Sequence, residues 1–567
     1  MNNLKKSTFL VICLALMSAA VFVVGSCQRS PTVAPTAATA ATPVASGLGP
    51  DMLLLHSVQS FADRFPGAWD NYGYTIRFIL YSRLLRLDAN LNPVYGDLAQ
   101  NWTVSPDGLT YTFTLKNNIK WHDGRPFTAD DVAFSLKTAM KSPQVNGVIK
   151  SAINSIKGAA AFAADSGKTA GDNIEGIRIN GNVITITMER PSGTFLLAMA
   201  QFNILPRHKI EGLNPLNLNA SAYYDWPIGT GPYRVKEFRP NDYALLEVFD
   251  DYFGPKPQIP QVKITVMNDP DYPIRAMAND LDYVLTNNLD TANAVTKNPN
   301  YKAFYTDIYF IRYFQWNSKG PQGKGDDPFK DIRVRRAFVH AIDRQAIIDS
   351  LMPGQASLLN TKVPSTFDYA NNSVYNLDYN PAKARQLLTE AGFDFNRTIR
   401  MACYYSDRTT ADFMDAVVYY LGQIGIKAEW FLITGDLTPQ IYENPDYHLI
   451  YAGLSAMAPE EAYNIFYSNT IATSLWANLW PTNYFGMDKL LEELWVTTDL
   501  NRRRQILRDI QKVETEEMLW HLPMFALRTI QIFNTARVNL PPELVLSNEW
   551  SNYERYIEKW TLNPEKR

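Results

Sequence analysis

Two hydrophobic periods recur along the chain and predict both kinds of regular structure. Over Leu109–Lys116, the sequence LTYTFTLK places an apolar residue at every second position, as in a strand with one buried face. Further along, Val132, Leu136 and Met140 recur at the spacing of a helix. Segments of both kinds alternate along the chain, so the sequence predicts an α/β fold.

The two ends of one helix are marked by residues that suit them. In the sequence NPAKARQLLTEAGF, Asn380 is a good N-cap and Pro381 fits the first helical position. Gly392 is placed to end the helix. A helix is therefore predicted between these residues.

A further helix is predicted in DIRVRRAFVHAIDRQAIIDSLM, Asp331–Met352, where apolar residues repeat at helical spacing. Its Arg333, Arg335 and Arg336 fall on other faces. Three arginines close together could bind an anion. Charged residues on a helix more often form a solvated or salt-bridged face, however. We therefore interpret them as a polar face.

The stretch KWHDGRPFTADDVAFSLK, Lys120–Lys137, contains the residue types of a metal or acid–base site. A structural role accounts for Thr128, Asp130 and Asp131, however. Thr128 can cap the helix amide at Asp131, and acids are favourable at a helix N-terminus. His122 and Asp123 fall in the preceding turn. None of the six histidines is paired at i and i+4, as a metal-binding helix would require. We expect scaffolding here, and no metal site.

The N-terminus reads as an export signal. Two lysines precede the apolar run Thr8–Val24, and small residues lead to Cys27, which is the order of a secretory signal peptide. The sequence VGSC resembles the lipobox of bacterial lipoproteins, in which the cysteine is lipidated and becomes the first residue. We predict a lipoprotein signal peptide over residues 1–26 and lipid on Cys27, with an uncleaved transmembrane anchor as the alternative.

Residues 27–50 read as a flexible stalk. They are rich in Thr, Ala and Pro and show no apolar period. The fold is expected to begin near Leu53, and acyl chains at one end would tether this soluble body to a membrane surface.

Composition and charge narrow the class. Of the residues, 46% are hydrophobic and 20% are charged, which is an ordinary balance for a globular protein. The length of 567 residues exceeds what one compact core usually holds, so two or three packed units are expected. Its net charge is −3, and loss of residues 1–26 removes two lysines and no acid, leaving −5. A nucleic-acid binder needs a strongly basic face, so that class is excluded. Cys403 is the one cysteine left beside Cys27, and we interpret it as a small buried residue rather than a nucleophile.

The segment Leu98–Lys137 closely resembles the signature region of the family 5 extracellular solute-binding proteins. These are the subunits of ABC importers that capture peptides, nickel or oligosaccharides. Further similar blocks are Pro227–Phe238 with Asp251–Met267, Asn317–Ile348, and Tyr379–Phe393. Together they cover most of the chain from Leu53 to Thr561.

The resemblance implies a two-lobed periplasmic-binding-protein-like α/β fold with an extra inserted domain, which makes three domains. The first lobe would combine residues 51–86, 195–286 and 515–567. The inserted second domain would take residues 87–194 and the third domain residues 287–514. Ligand would be enclosed between the first and third domains as they close about a hinge.

The same resemblance points to a missing carboxylate. Peptide-binding members hold the ligand's amino terminus with an aspartate in a segment of the type Ala-Gly-Trp-x-Ala-Asp-Tyr, and the matching stretch here is Tyr447–Phe466. Leu454 stands in place of the tryptophan and Met457 in place of the aspartate. Because a buried ammonium needs a carboxylate, Met457 argues against the standard dipeptide mode. Glu460 or Glu461 could substitute, or could lie exposed on the following loop.

Seven side chains are predicted to contact the ligand from their positions alone. Trp69 lies in an early loop that approaches the ligand in the family, and six others lie in or near the segment of Met457. The full set is Trp69, Tyr451, Ser455, Met457, Glu460, Trp476 and Trp480. Aromatic faces suit stacking on sugar rings, but simple packing explains the tryptophans equally well.

The function expected from the resemblance is that of a lipid-anchored substrate-binding protein of an ABC transporter. It would act as a monomer in the cell envelope, in the periplasm or on the outer face of the cell membrane. It would capture an oligopeptide-class solute and deliver it to a membrane permease, without a cofactor. A neutral oligosaccharide as ligand, or a sensing receptor without import, remain alternatives.

An enzyme is not expected, because both candidate motifs are incomplete. SGKT, Ser166–Thr169, lacks the glycine of a phosphate-binding loop, and GLSAM, Gly453–Met457, lacks the second glycine of a nucleophile elbow.

Overall fold

A computed structural model describes residues 51–57, 75–88, 90–456, 459–481, 486–544 and 556–563. The predicted signal peptide, residues 1–26, and the predicted stalk, residues 27–50, lie outside these ranges. Within them, no helix combines the length and the apolar character needed to cross a bilayer.

Strands and helices alternate along the described chain, which confirms the α/β class. The strands are β1 (Met52–Ser57), β2 (Leu85–Leu87), β3 (Pro93–Gly96), β4 (Ala99–Val104), β5 (Thr110–Leu115), β6 (Ile177–Asn180), β7 (Val183–Thr187), β8 (Tyr233–Arg239), β9 (Tyr243–Val248), β10 (Gln261–Val266), β11 (Tyr283–Thr286), β12 (Tyr301–Trp316), β13 (Ala356–Leu358), β14 (Thr398–Cys403), β15 (Lys427–Leu432), β16 (Leu449–Ser455), β17 (His521–Asn534), β18 (Val538–Asn539) and β19 (Thr561–Leu562).

The helices are α1 (Thr75–Leu80), α2 (Ala129–Lys141), α3 (Gly147–Asn154), α4 (Ala159–Ala164), α5 (Phe195–Met199), α6 (Arg207–Ile210), α7 (Tyr272–Met277), α8 (Leu289–Val295), α9 (Ile332–Ala341), α10 (Arg344–Leu351), α11 (Pro381–Glu390), α12 (Arg408–Gln423), α13 (Pro459–Tyr463), α14 (Ser468–Thr473), α15 (Met487–Val496) and α16 (Leu500–Val513).

Three sheets of four or more strands organise the described elements, beside the two-stranded pairs β2-β3 and β18-β19. A first sheet has the strand order β1-β10-β9-β8, with β1 parallel to β10, and a second has the order β4-β5-β7-β6. The largest has the order β11-β17-β12-β16-β14-β15, and β13 also pairs with β17. The alternating segment LTYTFTLK becomes β5 with every second residue buried, as predicted.

The large sheet draws strands from both of the lobes predicted by sequence. Its longest pair joins β12, from residues 287–514, to β17, from residues 515–567, from Tyr301↔Asn534 to Gln315↔His521 with two shifts of register. β11 belongs to the predicted first-lobe segment 195–286 and pairs with β17 as well. Strands of the large sheet therefore come from three of the predicted segments, 195–286, 287–514 and 515–567, a pairing of distant strands that leaves no local signal in the sequence.

The stretch Lys120–Lys137 serves the scaffold. The Thr128 amide donates to the carboxylate of Asp131 at 2.9 Å at the start of α2, in a capping box. His122 accepts at Nδ1 from the Gly229 amide at 3.0 Å and lies 3.1 Å through Nε2 from the Gly231 carbonyl. Burial lowers the pKa of His122 to about 4, so this ring is a neutral link between two segments.

Helix α11 also begins and ends as predicted. The Asn380 side chain accepts from the Lys383 amide at 3.0 Å, and Gly392 beyond the helix has a φ of +68°. Cys403, at the end of β14, is fully buried, as expected of a small core residue.

The arginines of α9 differ from the predicted polar face. Arg333 does form an ion pair, with Asp331 at 2.6 Å. Arg335, however, is only 4% exposed, lies 4.5 Å from the Trp316 ring and donates to the Phe329 carbonyl. A solvated face was the wrong expectation for Arg335, because the long side chain turns inward onto an aromatic ring.

A buried ion pair ties the first sheet to the large one. Asp282 and Arg537 have no exposed side-chain surface and contact each other directly. Asp282 also accepts from the Leu54 amide of β1 at 2.8 Å, and Arg537 donates to the Met52 carbonyl at 2.6 Å. The Asn534 amide at the end of β17 donates to the Asp282 carbonyl at 3.0 Å. Three chain segments therefore meet at one carboxylate–guanidinium pair.

His56 adds a second tie at the same junction. Its Nε2 accepts from the Leu285 amide at 2.8 Å, so the ring is not doubly protonated, and its Nδ1 lies 2.9 Å from the hydroxyl of Tyr272. His56 thus joins β1 to β11 and α7.

Substitution of Asp282 tests how much this junction contributes to the free energy of unfolding. In Asp282→Ala, the buried Arg537 guanidinium loses its counter-charge, so the free energy of unfolding is expected to fall by about 3–5 kcal/mol. Urea unfolding measures the change. Asp250→Ala is the control, because its ion pair with Lys256 is exposed and its loss should leave stability unchanged. Equal effects of the two substitutions would contradict the assigned role.

Candidate ligand-binding site

The edge of β16 is open over its last residues. β12 pairs with β16 along one side, from Trp316↔Leu449 to Phe310↔Ser455. On the other side β14 ends at Cys403, which pairs with Tyr451. Among the described residues, no strand continues this pairing beyond Tyr451. We call the free side of Ala452–Ser455 the open edge.

The backbone groups of Gly453 and Ser455 face the open edge. Antiparallel pairs alternate between residues that bond across the ladder and residues whose groups point away from it. The Ala456 amide donates to the Tyr309 carbonyl of the β12 segment at 3.0 Å. The backbone N–H and C=O groups of Leu454 and Ala452, two and four residues earlier, therefore also point toward β12. Gly453 and Ser455 therefore carry backbone donors and acceptors on the free side.

A cation lies over the start of the open edge. Arg312 pairs across the ladder with Gly453, and its Nη1 donates to the hydroxyl of Tyr405 at 2.7 Å. A Cβ added at Gly453 would overlap Nη1 of Arg312 and would lie 2.8 Å from the Tyr405 hydroxyl. Gly453 thus leaves the space through which the arginine side chain reaches Tyr405, just beyond the end of β14.

The charge of Arg312 is maintained by its surroundings. Burial opposes the charged form, but nearby tyrosine hydroxyls and Asp407 outweigh burial and raise the pKa of Arg312. The guanidinium lies 4.1 Å from the Tyr405 ring and 4.5 Å from the Phe310 ring. The side chain is half-buried, so solvent or a solute can still approach it.

The predicted contact residues are distributed between this edge and the core. Ser455 ends β16 on the open edge and is half-buried. Tyr451 is 2% exposed, with its ring 4.8 Å from that of Phe413 and 5.4 Å from that of Phe314. Tyr451 thus belongs to the packing beneath the edge.

The two predicted tryptophans stack on each other. The rings of Trp476 and Trp480 lie 4.5 Å apart at an interplanar angle of 14°. Trp480 is 1% exposed and also packs on Phe466 and Trp520, whereas Trp476 is half-buried and meets Tyr442 edge-on. The structure brings both together in one aromatic cluster.

Glu460 does not lie exposed on a loop. It is 3% exposed, in α13, and forms an ion pair with Arg503. Arg503 also donates to the carbonyls of Leu494 and Thr497, at 3.0 and 2.9 Å, so this pair fastens α13 to α15 and α16. The exposed-loop alternative is wrong for Glu460, because its carboxylate is committed to a buried cation. Glu461 is half-buried; Met457 and Trp69 lie outside the described residues.

A second group of polar side chains, which sequence reasoning missed, lies on the other face of β12. We call it the buried polar cluster: Tyr309, Lys362, Tyr463, Glu514 and His521. The His521 ring stacks on Tyr313 with centroids 3.9 Å apart, and Lys362 Nζ lies 4.1 Å from the Phe466 ring. Residues this far apart in sequence carry no local pattern that would group them.

The charges of this cluster are poorly compensated. Lys362 Nζ donates to the Ala462 carbonyl at 3.1 Å, but Glu514 Oε1 and both ring nitrogens of His521 lack a hydrogen-bond partner among the described residues. Burial lowers the pKa of Lys362 to about 7 and raises that of Glu514 to about 7, and each charge partly offsets the effect on the other. Burial and the Lys362 charge hold the pKa of His521 well below its ordinary value. His521 is therefore neutral.

Metal binding finds no support within the described ranges. No group of three or more His, Cys, Asp and Glu side chains there is placed to hold a metal ion.

Comparisons with known proteins agree on one family. Residues 93–474 match the model of the bacterial extracellular solute-binding proteins, family 5. A putative ABC transporter peptide-binding protein of Brucella ovis is 28% identical over 476 residues, which cover 79% of this chain and 82% of that protein.

Solved structures share the fold. The oligopeptide-binding protein AppA from Bacillus subtilis, in complex with a nonapeptide, matches with a TM-score of 0.64 and 22% identity, over 90% of this chain and 99% of that one. NikZ from Campylobacter jejuni, in complex with Ni(L-His), matches with a TM-score of 0.67 and 20% identity, over 91% and 100%. At these identities the likeness shows the fold alone.

The buried polar cluster predicts a particular pH dependence of stability. The pKa of Glu514 is about 7 when folded and ordinarily 4.5, so the folded protein binds the extra proton in that window and stability falls as pH rises through it. The pKa of Lys362 is about 7 when folded and ordinarily 10.5, so stability rises with pH between those values. The unfavourable contribution of the pair is therefore largest near pH 7.

The double variant Lys362→Met with Glu514→Gln removes both titrations. The free energy of unfolding of the variant minus that of the parent should be greatest near pH 7. This difference should decline on either side by up to about 1.4 kcal/mol per pH unit. Urea unfolding at about pH 5, 7 and 9 measures this. Lys157→Met with Glu175→Gln, an exposed pair, is the matched control. A difference that does not vary with pH would refute the assignment.

Proposed function

The chain belongs to family 5 of the bacterial extracellular solute-binding proteins, and from this membership we propose that it captures extended oligopeptides at the open edge of β16. It is a substrate-binding component of an ABC importer for peptides or related solutes. The family consists of solute-binding proteins and not of enzymes.

The open edge is the observation that carries the proposal. A strand edge with free backbone donors and acceptors is a template for an extended peptide, whose main chain supplies the complementary groups. Gly453 and Ser455 offer such groups in alternation, at the spacing of a strand. Main-chain pairing of this kind is tolerant of side-chain identity, which suits a protein that serves varied peptides.

The residues around the edge favour a binding mode that does not depend on an acid at position 457. Met457 replaces the aspartate expected there, and Glu460 is held by Arg503. Main-chain pairing supplies affinity without a buried carboxylate for the amino terminus. Ser455 is the predicted contact residue that this mode uses directly. Trp69, Tyr451, Met457, Glu460, Trp476 and Trp480 stay proposals as ligand contacts.

A neutral oligosaccharide is the second candidate. It is favoured by Met457, since a neutral ligand needs no carboxylate, and by the tyrosine rings near the edge, since sugar rings stack on aromatic faces. Tyr404 and Tyr405 have hydroxyls 3.1 Å apart beside the end of β14. A receptor that senses the same ligand without import is the third reading.

The mechanism proposed is capture, closure and delivery to a membrane permease. The chain enters the large sheet through residues 267–283 and leaves it after Asn534, and both connections pass the Asp282–Arg537 pair. Loop residues and the ends of helices and strands in such connections are suited to absorb the backbone changes of a hinge. The three-domain division, with residues 87–194 inserted, and a monomeric state belong to the same proposal.

The proposed location is the cell envelope, with the body tethered through lipid on Cys27 after removal of residues 1–26. In the periplasm or on the outer face of the cell membrane, a tether keeps the protein near its permease. Support comes from the order of charge, apolar run and small residues before Cys27.

A backbone substitution tests the open edge. Ser455→Pro removes the amide that faces away from β12 while sparing the ladder, so it should weaken binding of a synthetic oligopeptide pool about fivefold or more. Ser455→Ala is the matched control and should bind as the parent does. A peptide at one hundred times its Kd adds about 2.7 kcal/mol to stability, so thermal unfolding reports binding. Equal binding by the parent and both variants would contradict the proposal.

Lipidation is tested separately in cells. Cys27→Ser should move the protein from the detergent phase of a Triton X-114 extraction to the aqueous phase, because acyl chains are what hold it at the membrane. Cys13→Ser, inside the apolar run, is the control and should leave the partition unchanged. Retention of Cys27→Ser in the detergent phase would favour an uncleaved anchor instead.

A further inference from the structure

We propose that Arg312, with the hydroxyl of Tyr405, binds a carboxylate of the solute at the start of the open edge, so that the preferred peptides carry a negative charge there. This inference rests on the peptide-binding function proposed above and adds the charge of the ligand. A C-terminal carboxylate and an acidic side chain share the required chemistry.

Position is the first support. Arg312 starts from β12, crosses over β16 at Gly453 and ends at Tyr405, just past the last residue of β14. A peptide that paired with Gly453 would occupy the place that a continued β14 would have taken. The guanidinium therefore lies against the track of the bound main chain.

Charge is the second support. Among the described residues, no carboxylate lies within ion-pair distance of Arg312. Asp407 influences it electrostatically, but that carboxylate accepts from the Thr410 amide and hydroxyl, both at 2.8 Å, as the N-cap of α12. The contacts of Arg312 are the Tyr405 hydroxyl and two aromatic rings, which leave donors of its planar fork for another acceptor.

Arginines of β14, β17 and α16 pair with carboxylates, whereas Arg335 of α9, like Arg312, contacts an aromatic ring and an uncharged acceptor. Arg400 in β14 pairs with Asp446 at 2.5 Å, Arg528 in β17 pairs with Asp307 at 2.8 Å, and Arg503 pairs with Glu460. The surroundings of Arg312 support its charge without an ion pair, so a carboxylate that reached the guanidinium would add an ion pair that the described residues do not supply.

Strand geometry is the third support. The ladder between β12 and β17 shifts register between Arg312 and Tyr313. Arg312 pairs with Phe525 and Tyr313 pairs with Pro523, so one residue of β17 is skipped. Irregularities of this kind re-aim side chains and are frequent beside binding sites. The shift coincides with the residue that reaches over the open edge.

The chemistry at this point suits a carboxylate. A guanidinium presents parallel donors that match two carboxylate oxygens, and the Tyr405 hydroxyl can donate a further bond. A neutral amide in the same place would leave the charge uncompensated. Peptides with a free carboxylate should therefore bind more tightly than their amides.

The experiment uses the soluble body from Gly47 onward and three synthetic pools of oligopeptides of about three to eight residues. One pool has free C-termini and acidic side chains. The second is amidated at the C-terminus, and the third carries Asn and Gln in place of Asp and Glu. Fluorescence titration gives apparent Kd values for the parent, Arg312→Gln, Arg312→Lys and the control Arg408→Gln, whose side chain is 93% exposed.

The parent should bind the first pool about tenfold or more tightly than one of the other two, and the weaker pool identifies the carboxylate that is recognised. Arg312→Gln should abolish this preference, and Arg312→Lys should retain part of it, because the charge remains without the fork. Arg408→Gln should match the parent. Thermal unfolding without ligand confirms that each variant is folded.

Two contrary results have different meanings. Equal binding of all three pools by the parent, or a preference that survives in Arg312→Gln, overturns this inference and leaves peptide binding intact. No binding of any pool overturns the proposed function and this inference with it.

Discussion

The organisation of the molecule depends on one buried electrostatic contact, the pair of Asp282 and Arg537. Two charges without solvent are tolerated only when hydrogen bonds satisfy their remaining groups, and here the partners are backbone atoms of β1. The pair therefore fixes β1 against the end of β17, where the first sheet meets the large one. The two sheets are therefore joined at one point by contacts that involve three separate chain segments.

A difference in strand length leaves the open edge. β16 continues four residues beyond the point at which β14 stops, and β12 supports it along the whole distance. An exposed edge is a liability in a soluble protein because it invites other chains to pair. Here the edge is short, it begins beside a charged arginine, and Gly453 keeps its surface open to that side chain. The same features that limit nonspecific pairing are the ones on which the proposed peptide site rests.

Local signals were sufficient for the elements but not for the site. The alternation in β5, the capping of α2 by Thr128 and Asp131, and the Asn380 cap of α11 are encoded within a few residues, and each was predictable. The partner of Glu460 is 43 positions away and that of Arg312 is 93 positions away, so neither followed from its neighbours. One signal was present in the sequence: Arg312 is the single charge in the apolar run of residues 308–316. A charge in a strand buried on both faces is costly and marks a position to examine.

In the proposed site, position 457 carries methionine instead of an acid and position 312 carries a cation, so the proposal predicts a preference for anionic ligands. A carboxylate at the edge would attract the amino terminus of a peptide, whereas the arrangement here attracts an anion. Residues 27–567 carry a net charge of −5, which by itself repels an anionic ligand. At physiological ionic strength charges separated by more than about 8–10 Å are largely screened, so the net charge acts weakly on the bound ligand. The half-buried Arg312 is screened far less. Under the proposal, the local cation rather than the net charge governs recognition, and its effect is strongest once the ligand has displaced water from the edge.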